Sequence, residues 1–181
     1  MTSIEKQRIV EIIKEIEPAY LATCEGDQPS VRPVSPIVEG DMSIWIGTRS
    51  TSRKVKQIEQ NPKVCLAFVQ PPHSAKGEKV AIVIGEAKKT PNLEERKRFW
   101  TLWSQVYPTF DLTRVYPNGP ESNDFCLLKI IVKKIEWWAE TEPVSYTHLR
   151  AHETVLELVC RLLLAKKKKD KVFTSMSLVH C

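Results

Sequence analysis

Six segments of this chain are rich in β-branched and aromatic residues, and short turns or single helices separate them. Segments of this kind are typical of β-strands, and here they cover 19–26, 29–40, 40–48, 63–69, 79–90 and 124–140. Pro33 and Pro36 lie inside the second segment. Because proline has no N–H to donate to a ladder, this strand is predicted to be irregular or to lie at a sheet edge.

Helices are predicted at three places around these strands. Apolar residues recur on one face of 3–16, a short helix follows the third strand over 52–60, and 90–107 forms another with Thr90 or Asn92 as its cap. Strands joined mostly by short turns favour an antiparallel barrel or sandwich over a parallel sheet. The sequence therefore predicts a mainly β, α+β fold, and it contains neither of the glycine-rich nucleotide-binding fingerprints.

Composition argues against several kinds of protein and site. No run of about 18 apolar residues is present, and the charged start lacks the apolar core of a signal peptide, so a cytoplasmic protein is expected. The cysteines form no C-x-x-C pair and have no histidine at ligand spacing: Cys24, Cys65, Cys126, Cys160 and Cys181. They are interpreted as thiols, and no metal site is predicted.

The positive charge is concentrated near the C-terminus. Residues 1–143 carry 20 Lys and Arg against 19 Asp and Glu, whereas 144–181 carry 7 against 3. The run 144–154 resembles the reading-frame translation of a sequencing adapter, and 166–169 resembles translated poly-A. The alternative is an amphipathic helix with a basic end. We therefore expect a functional domain over 1–143 and a non-native tail over 144–181, which we leave out of fold reasoning.

The stretch GTRSTSRKVKQIEQNPKV, residues 47–64, places two adjacent cations, Arg53 and Lys54, at a predicted helix start. The helix dipole already makes that end positive, so cations are favourable there only beside an anion. With free backbone N–H groups and the hydroxyls of Thr48 and Ser52, they could form a cradle for a terminal phosphate. The alternative at this point is a solvated basic helix face, with Glu59 paired to a neighbouring lysine.

The surrounding sequence resembles a known family. In 48–68, S-R-K, Q-I-E, N-P and V-x-L-x-F follow one another, with V-R-P-V before them and V-A-I-V-I-G-E-A after them. This order resembles the pyridoxamine 5′-phosphate oxidase-like family of FMN-binding split barrels, especially its short, general-stress-type members, over about residues 3–140. The resemblance implies a six-stranded antiparallel split β-barrel of Greek-key type. It also implies a homodimer with FMN in clefts between the subunits.

The resemblance implies cofactor-binding roles for six residues: Arg32, Val34, Thr48, Ser52, Arg53 and Lys54. Ser52, Arg53 and Lys54 are expected to hold the FMN phosphate, with Thr48 at the end of the preceding strand. Arg32 and Val34 are expected along the isoalloxazine ring or the ribityl chain. From the residues alone, Arg32 could instead be a surface salt-bridge partner and Val34 an ordinary core residue.

Departures from the family pattern bear on the reaction. The position of the oxidase substrate-phosphate lysine is Ile37, an expected glutamine is Val80, and no arginine- and tryptophan-bearing segment precedes Pro143. The resemblance thus implies an FMN-dependent oxidoreductase that transfers a hydride to or from a small organic substrate, and not a true pyridoxamine phosphate oxidase. No catalytic residue is assigned, since His73 is interpreted as an exposed loop residue.

Two other functions remain as alternatives. One is a split barrel that binds flavin or haem without turnover. The other is nucleic-acid binding through Arg49, Arg53, Lys54 and Lys56, which the near-neutral charge of 1–143 disfavours. We predict neither a nucleic-acid nor a membrane partner. Five aromatic residues are assigned either to a pocket for a planar substrate or to core or dimer packing: Trp100, Trp103, Tyr107, Trp137 and Trp138.

Overall fold

The computed structural model describes residues 3–70, 77–139 and 142–148. The helices are α1 (Ser3–Glu15), α2 (Arg53–Gln60) and α3 (Leu93–Val106). The strands are β1 (Ala19–Glu25), β2 (Gln28–Val34), β3 (Ile37–Val38), β4 (Ile44–Arg49), β5 (Lys63–Gln70), β6 (Lys79–Thr90), β7 (Phe125–Ala139) and β8 (Glu142–His148). This content confirms the predicted mainly β, α+β class.

The eight strands of the described residues form one antiparallel sheet in the order β2-β1-β5-β6-β7-β4-β3. The long strand β7 pairs with two strands along one edge: Phe125–Ile130 pair with β4, and Lys134–Ala139 pair with β8. The end strands β2 and β3 each pair with one neighbour, so no hydrogen-bonded closure joins them in the described ranges. The arrangement is consistent with a split barrel, but the predicted count of six strands is not confirmed.

The two additional strands have separate origins. The predicted second strand is divided into β2 and β3 at Ser35 and Pro36, where proline removes a ladder donor. Strand β8 lies mostly within 144–181, the predicted non-native tail, although its valine, tyrosine and threonine suit a strand. As predicted from Pro33, β2 is an edge strand.

A β-bulge shapes the longest hairpin of the sheet. The register between β6 and β7 shifts between Ile84 and Gly85. A Cβ at Gly85 would lie 2.2 Å from the carbonyl oxygen of Ile131, so only glycine permits this close approach of the two backbones. On the other side of β7, the residues that precede the bulge region pair with β4.

Two apolar clusters hold the helices against the sheet. The larger one packs α1 and α2 on the inner face of the sheet and includes Ile9, Ile13, Leu21, Ile46, Val55, Leu66 and Phe68. The smaller one fixes α3 through Phe99, which packs with Trp45 and Phe125. Helix α3 begins at a cap in which the Asn92 side chain accepts from the N–H groups of Glu94 and Glu95.

The chain divides into two units, Met1–Leu149 and Arg150–Cys181, and the second unit lies outside the described residues. The predicted boundary after residue 143 and the adapter origin of the tail therefore stay predictions. No helix within the described ranges is both long and apolar enough to cross a membrane.

Candidate functional site

The start of α2 has backbone donors and no acidic side chain to satisfy them. Ser52 is the cap residue, but its side chain makes no capping hydrogen bond, and the first turn contains no carboxylate. The N–H groups of Arg53 and Lys54 have no backbone acceptor in the described part of the chain. A helix start of this kind favours an anion.

Lys54 turns from α2 toward the end of β4. Its Nζ donates to Thr48 Oγ1 at 2.8 Å, and Thr48 Oγ1 lies 3.4 Å from Ser52 Oγ. Burial lowers the pKa of the Lys54 ammonium below its ordinary value, and the charge of Arg32 lowers it further. Lys54 is therefore not part of a solvated basic face, because its charge sits partly desolvated beside two hydroxyls.

Arg32 reaches across β1 to α2. Its Nη1 donates to Thr23 Oγ1 at 2.5 Å and to the Leu21 carbonyl at 3.4 Å, and its Nη2 donates to Gln57 Oε1 at 2.9 Å. Burial, and then the charge of Arg53, lower the pKa of Arg32. Arg32 is thus tied to neutral acceptors, and the surface salt bridge considered from the sequence is not present in the described residues.

Arg32, Arg53 and Lys54 form a group of three cations without an acidic partner. None of them makes an ion pair with a carboxylate in the described ranges, and the nearby Glu59 pairs instead with Lys89 at 2.7 Å. Arg53 is exposed, whereas the other two side chains are partly buried. Like charges held together in this way repel one another, so a bound anion would relieve the repulsion.

A cleft of about 730 Å³ opens beside this group. Its cationic wall consists of Thr48 and Arg49 of β4, the cap residue Ser52, and Lys54 of α2. Val34 of β2 also lines the cleft while it packs in the larger apolar cluster, so it belongs to both. The volume lies within the range of about 300–1,000 Å³ that is usual for small-molecule and cofactor sites.

Another part of the cleft lining is aromatic and comes from α3 and the segment after it; we call it the aromatic wall: Phe99, Trp103, Tyr107, Phe110 and Tyr116. The Trp103 and Tyr107 ring centroids are 4.3 Å apart, and Trp103 Nε1 donates to the Phe110 carbonyl at 3.1 Å. Burial, and then interaction with the Glu17 carboxylate, raise the pKa of Tyr107 well above its ordinary value. Its hydroxyl therefore stays protonated at neutral pH.

The structure brings together most of the residues singled out in the sequence. Val34, Thr48, Ser52 and Lys54 line the cleft. Arg32 and Arg53 do not line it, but the charge of Arg53 acts on Arg32, and that of Arg32 acts on Lys54. Their cofactor-binding roles stay predictions. Of the aromatic candidates, Trp103 and Tyr107 line the cleft, and Trp100 packs edge-on against Tyr116 and Phe125.

Sequence reasoning missed the polar residues that hold Arg32. In the sequence, Gln57 stands out only as the first letter of Q-I-E, and no pattern singles out Thr23 or Glu25. Gln57 is 3% exposed and is buried with Val55 and Ile58. Its position close to these two apolar residues of a short helix is the sequence signal that could have identified it.

Other candidate groups add no further chemistry. The described part of the chain contains no group of three or more potential metal ligands. Cys24, Cys65 and Cys126 are free thiols, and burial raises the pKa of Cys65 and of Cys126. Both thiols are therefore poor nucleophiles. His73 lies outside the described residues.

Solved structures share this fold. They include General Stress Protein 26 from Bacillus anthracis, at 22% identity and a TM-score of 0.62, with 80% of this chain and 98% of that chain covered. A nimc/nima family protein from Clostridium acetobutylicum is 25% identical with a TM-score of 0.64, covering 81% and 94%. A heme binding protein from Mycobacterium smegmatis is 14% identical with a TM-score of 0.61, covering 82% and 58%.

At the level of sequence, no curated protein matches the chain. The family model described as pyridoxamine 5′-phosphate oxidase matches residues 5–139. This range contains the three cations, the cleft and both of its walls. Because the match covers well over half of the chain, the protein belongs to the pyridoxamine 5′-phosphate oxidase family.

Proposed function

We propose that the protein is an FMN-binding oxidoreductase that transfers a hydride to or from a small organic substrate. The observation that carries this proposal is the group of three cations without a carboxylate partner in the described residues: two at the start of α2 and one on β2, beside a cleft with an aromatic wall. The cations and the helix start suit a phosphate, and the apolar and aromatic surfaces suit a flat ring system. A ligand with both parts fits the donors that are present.

The residues of the cationic wall have distinct tasks in this proposal. Ser52 and the free N–H groups of α2 donate to the phosphate oxygens, and Lys54 and Arg53 neutralise their charge. Thr48 keeps Lys54 in place through the 2.8 Å hydrogen bond. FMN supplies the hydride chemistry when bound, so the protein needs to bind, orient and shield and does not need its own nucleophile.

Two buried positions support a substrate other than pyridoxamine 5′-phosphate. Ile37 is 2% exposed and packs in the cluster of Trp45 and Phe99, and Val80 is 4% exposed. Neither offers a charge or a hydrogen bond to a substrate phosphate. The aromatic wall with Tyr107 suits a planar substrate instead, and no residue is assigned a catalytic role.

A second copy of the chain is the proposed partner. On β2, β1, β5 and β6, two outward rows of cross-strand neighbours are apolar and at least partly exposed. We call them the apolar face: Val31, Ala22, Cys65 and Ile84 in one row, and Pro33, Tyr20, Ala67 and Ile82 in the other. An uncharged face can meet its own copy about a two-fold axis without opposing like charges. Pro33 also lines the cleft, so a partner on this face would lie next to the cofactor site.

The proposal is tested by titrating the purified full chain with FMN and following flavin absorbance and fluorescence. Micromolar affinity is expected, with weaker binding of riboflavin, which lacks the phosphate. A protein that takes up neither flavin at these concentrations would refute the proposed function.

Arg53→Ala/Lys54→Ala is the first informative variant. Charge-assisted hydrogen bonds are worth about 1.5–3 kcal/mol each, so the binding free energy of FMN should weaken by at least about 1.5 kcal/mol. The affinity for riboflavin should change little, because riboflavin has no phosphate. Lys56→Ala is the matched control, since Lys56 is exposed on the same helix. Wild-type FMN affinity in the double variant would mean that the phosphate binds elsewhere.

The alternative is a barrel that binds flavin or haem without turnover. The heme binding relative shares the fold at 14% identity, which is support for the fold alone. The residues that line the described cleft include no histidine, cysteine or methionine, so Tyr107 and Tyr116 are the side chains there that could act as an axial haem ligand. Bleaching of bound FMN by a nicotinamide donor would favour the enzyme, and tight binding of haemin but not of FMN would favour the alternative.

A further inference from the structure

The side chain of Gln57 is a buried amide whose two ends are both satisfied. Its Oε1 accepts from Arg32 Nη2 at 2.9 Å and from Thr23 Oγ1 at 2.6 Å, and its Nε2 donates to Glu25 Oε2 at 3.0 Å. The reverse orientation would put an NH₂ group against the guanidinium and a carbonyl oxygen against the carboxylate. Only one orientation of the amide therefore satisfies the network.

The network determines where Arg32 can point. Acceptors on β1, namely Thr23 Oγ1 and the Leu21 carbonyl, hold one Nη, and Gln57 on α2 holds the other. These bonds use part of the five N–H donors of the guanidinium. Arg32 is held close enough to the other two cations for their charges to interact: Arg53 lowers the pKa of Arg32, and Arg32 lowers the pKa of Lys54.

The network also leaves the charge of Arg32 unneutralised. A carboxylate is the ordinary partner for a partly buried arginine. Here Arg32 donates to the neutral amide of Gln57, and that amide in turn donates to the carboxylate of Glu25. Gln57 therefore separates Arg32 from the carboxylate. An acid in direct contact with Arg32 would cancel much of the field that attracts an anion to this corner of the molecule.

We propose that Gln57 is the positioning residue of the phosphate site: its neutral amide fixes Arg32 and keeps Glu25 from pairing with it. The full charge of Arg32 then adds to that of Arg53 and Lys54 at the start of α2. This inference rests on the proposed function, because it assumes that the anion in question is the phosphate of FMN.

The test is an exchange variant, Glu25→Gln/Gln57→Glu. It keeps the same two functional groups and the same net charge, but it moves the carboxylate into direct contact with Arg32. FMN affinity is expected to fall at least about tenfold, the equivalent of one charge-assisted hydrogen bond. Riboflavin affinity and thermal stability are expected to stay near wild type, because riboflavin carries no anion and the fold keeps its hydrogen bonds.

The chain offers a matched control on the same helix, Glu59→Gln/Gln60→Glu. This pair exchanges the same two groups at exposed positions and disrupts only the exposed Lys89–Glu59 ion pair, which contributes little. Its affinity for both flavins is expected to equal that of the wild type.

The outcomes separate this inference from the proposed function. A wild-type protein that binds FMN, with an exchange variant that binds it equally well, overturns the role of Gln57 and leaves the proposed function intact. A variant that loses stability together with affinity for both flavins shows a purely structural role, which also overturns it. Gln57→Met provides a second measurement: it retains a buried, uncharged side chain but frees Arg32, and it is expected to weaken FMN binding more than riboflavin binding.

Discussion

The ammonium group of Lys54 is held where its charge is unfavourable in the absence of a ligand. It is partly buried, it lies near Arg32, and its only hydrogen-bond partner in the described residues is the neutral Thr48 hydroxyl. Binding sites often retain strain of this kind, because the charge that destabilises the free protein is the charge that binds the ligand. Stability and affinity should therefore respond to Lys54 in opposite directions.

Lys54→Met tests this opposition. Burial and Arg32 lower the pKa of Lys54 in the folded state, so between that value and the ordinary lysine pKa the unfolded chain binds more protons. The free energy of unfolding of the unliganded wild type should therefore rise relative to the variant from neutral pH to about pH 10. At neutral pH the variant should be at least as stable, and saturating FMN should stabilise the wild type more.

Urea denaturation at neutral and alkaline pH, with and without FMN, measures both effects. Lys56→Met is the control, because Lys56 is exposed on the same helix. Parallel pH dependence of the wild type and Lys54→Met would show that Lys54 is not destabilised by its surroundings.

Among the elements, the hairpin of β6 and β7 depends on a single glycine. Gly85→Ala places a methyl group against the Ile131 carbonyl, and overpacking of this kind costs about 1–3 kcal/mol. Gly40→Ala is the matched control, because no atom lies within 4 Å of an added Cβ there and its φ is not positive. Chemical denaturation should show a clear loss of stability for Gly85→Ala and little change or a small gain for Gly40→Ala. Equal stabilities would mean that the bulge can relax at no cost.

The strands of the sheet show which features of the fold the sequence could predict. Strand propensity located β6 and β7, and Pro33 indicated that β2 is an edge strand, because these signals act over a few neighbouring residues. The bulge depends on the approach of Ile131, which is distant in sequence and leaves no local pattern. The division into β2 and β3 was likewise not predicted. A proline indicates that a strand is irregular, but it does not indicate whether the strand bends, bulges or breaks.

The candidate site also has a part that the sequence could predict and a part that it could not. The start of α2 could be predicted because its hydroxyls, cations and helix signal are contiguous. The bonds from Arg32 to Thr23 and Gln57 span three elements, and the aromatic wall is assembled by the packing of Phe99 against β4 and β7. Contacts of this kind follow from the tertiary fold, so the sequence could name Arg32 without naming the residues that hold it.

For the whole molecule, the proposed dimer makes a prediction about assembly and binding together. Val31 is 66% exposed on the edge strand β2, at one end of its row of the apolar face and next to Pro33 of the cleft. Val31→Lys should leave the fold intact, because the side chain already meets solvent in one subunit. A lysine buried in this apolar interface would lose its water without an acidic partner on the face, so the variant should be monomeric in light scattering.

The variant should also bind FMN more weakly, because the partner that would complete the wall beside Pro33 is lost. Ile4→Lys is the control: Ile4 is 81% exposed on α1, away from the apolar face, and the same change there should leave both mass and affinity unaltered. A Val31→Lys protein that remains dimeric would place the interface elsewhere. A monomeric variant with wild-type FMN affinity would instead show that one subunit holds the cofactor alone, and the cleft and its three cations would then be sufficient.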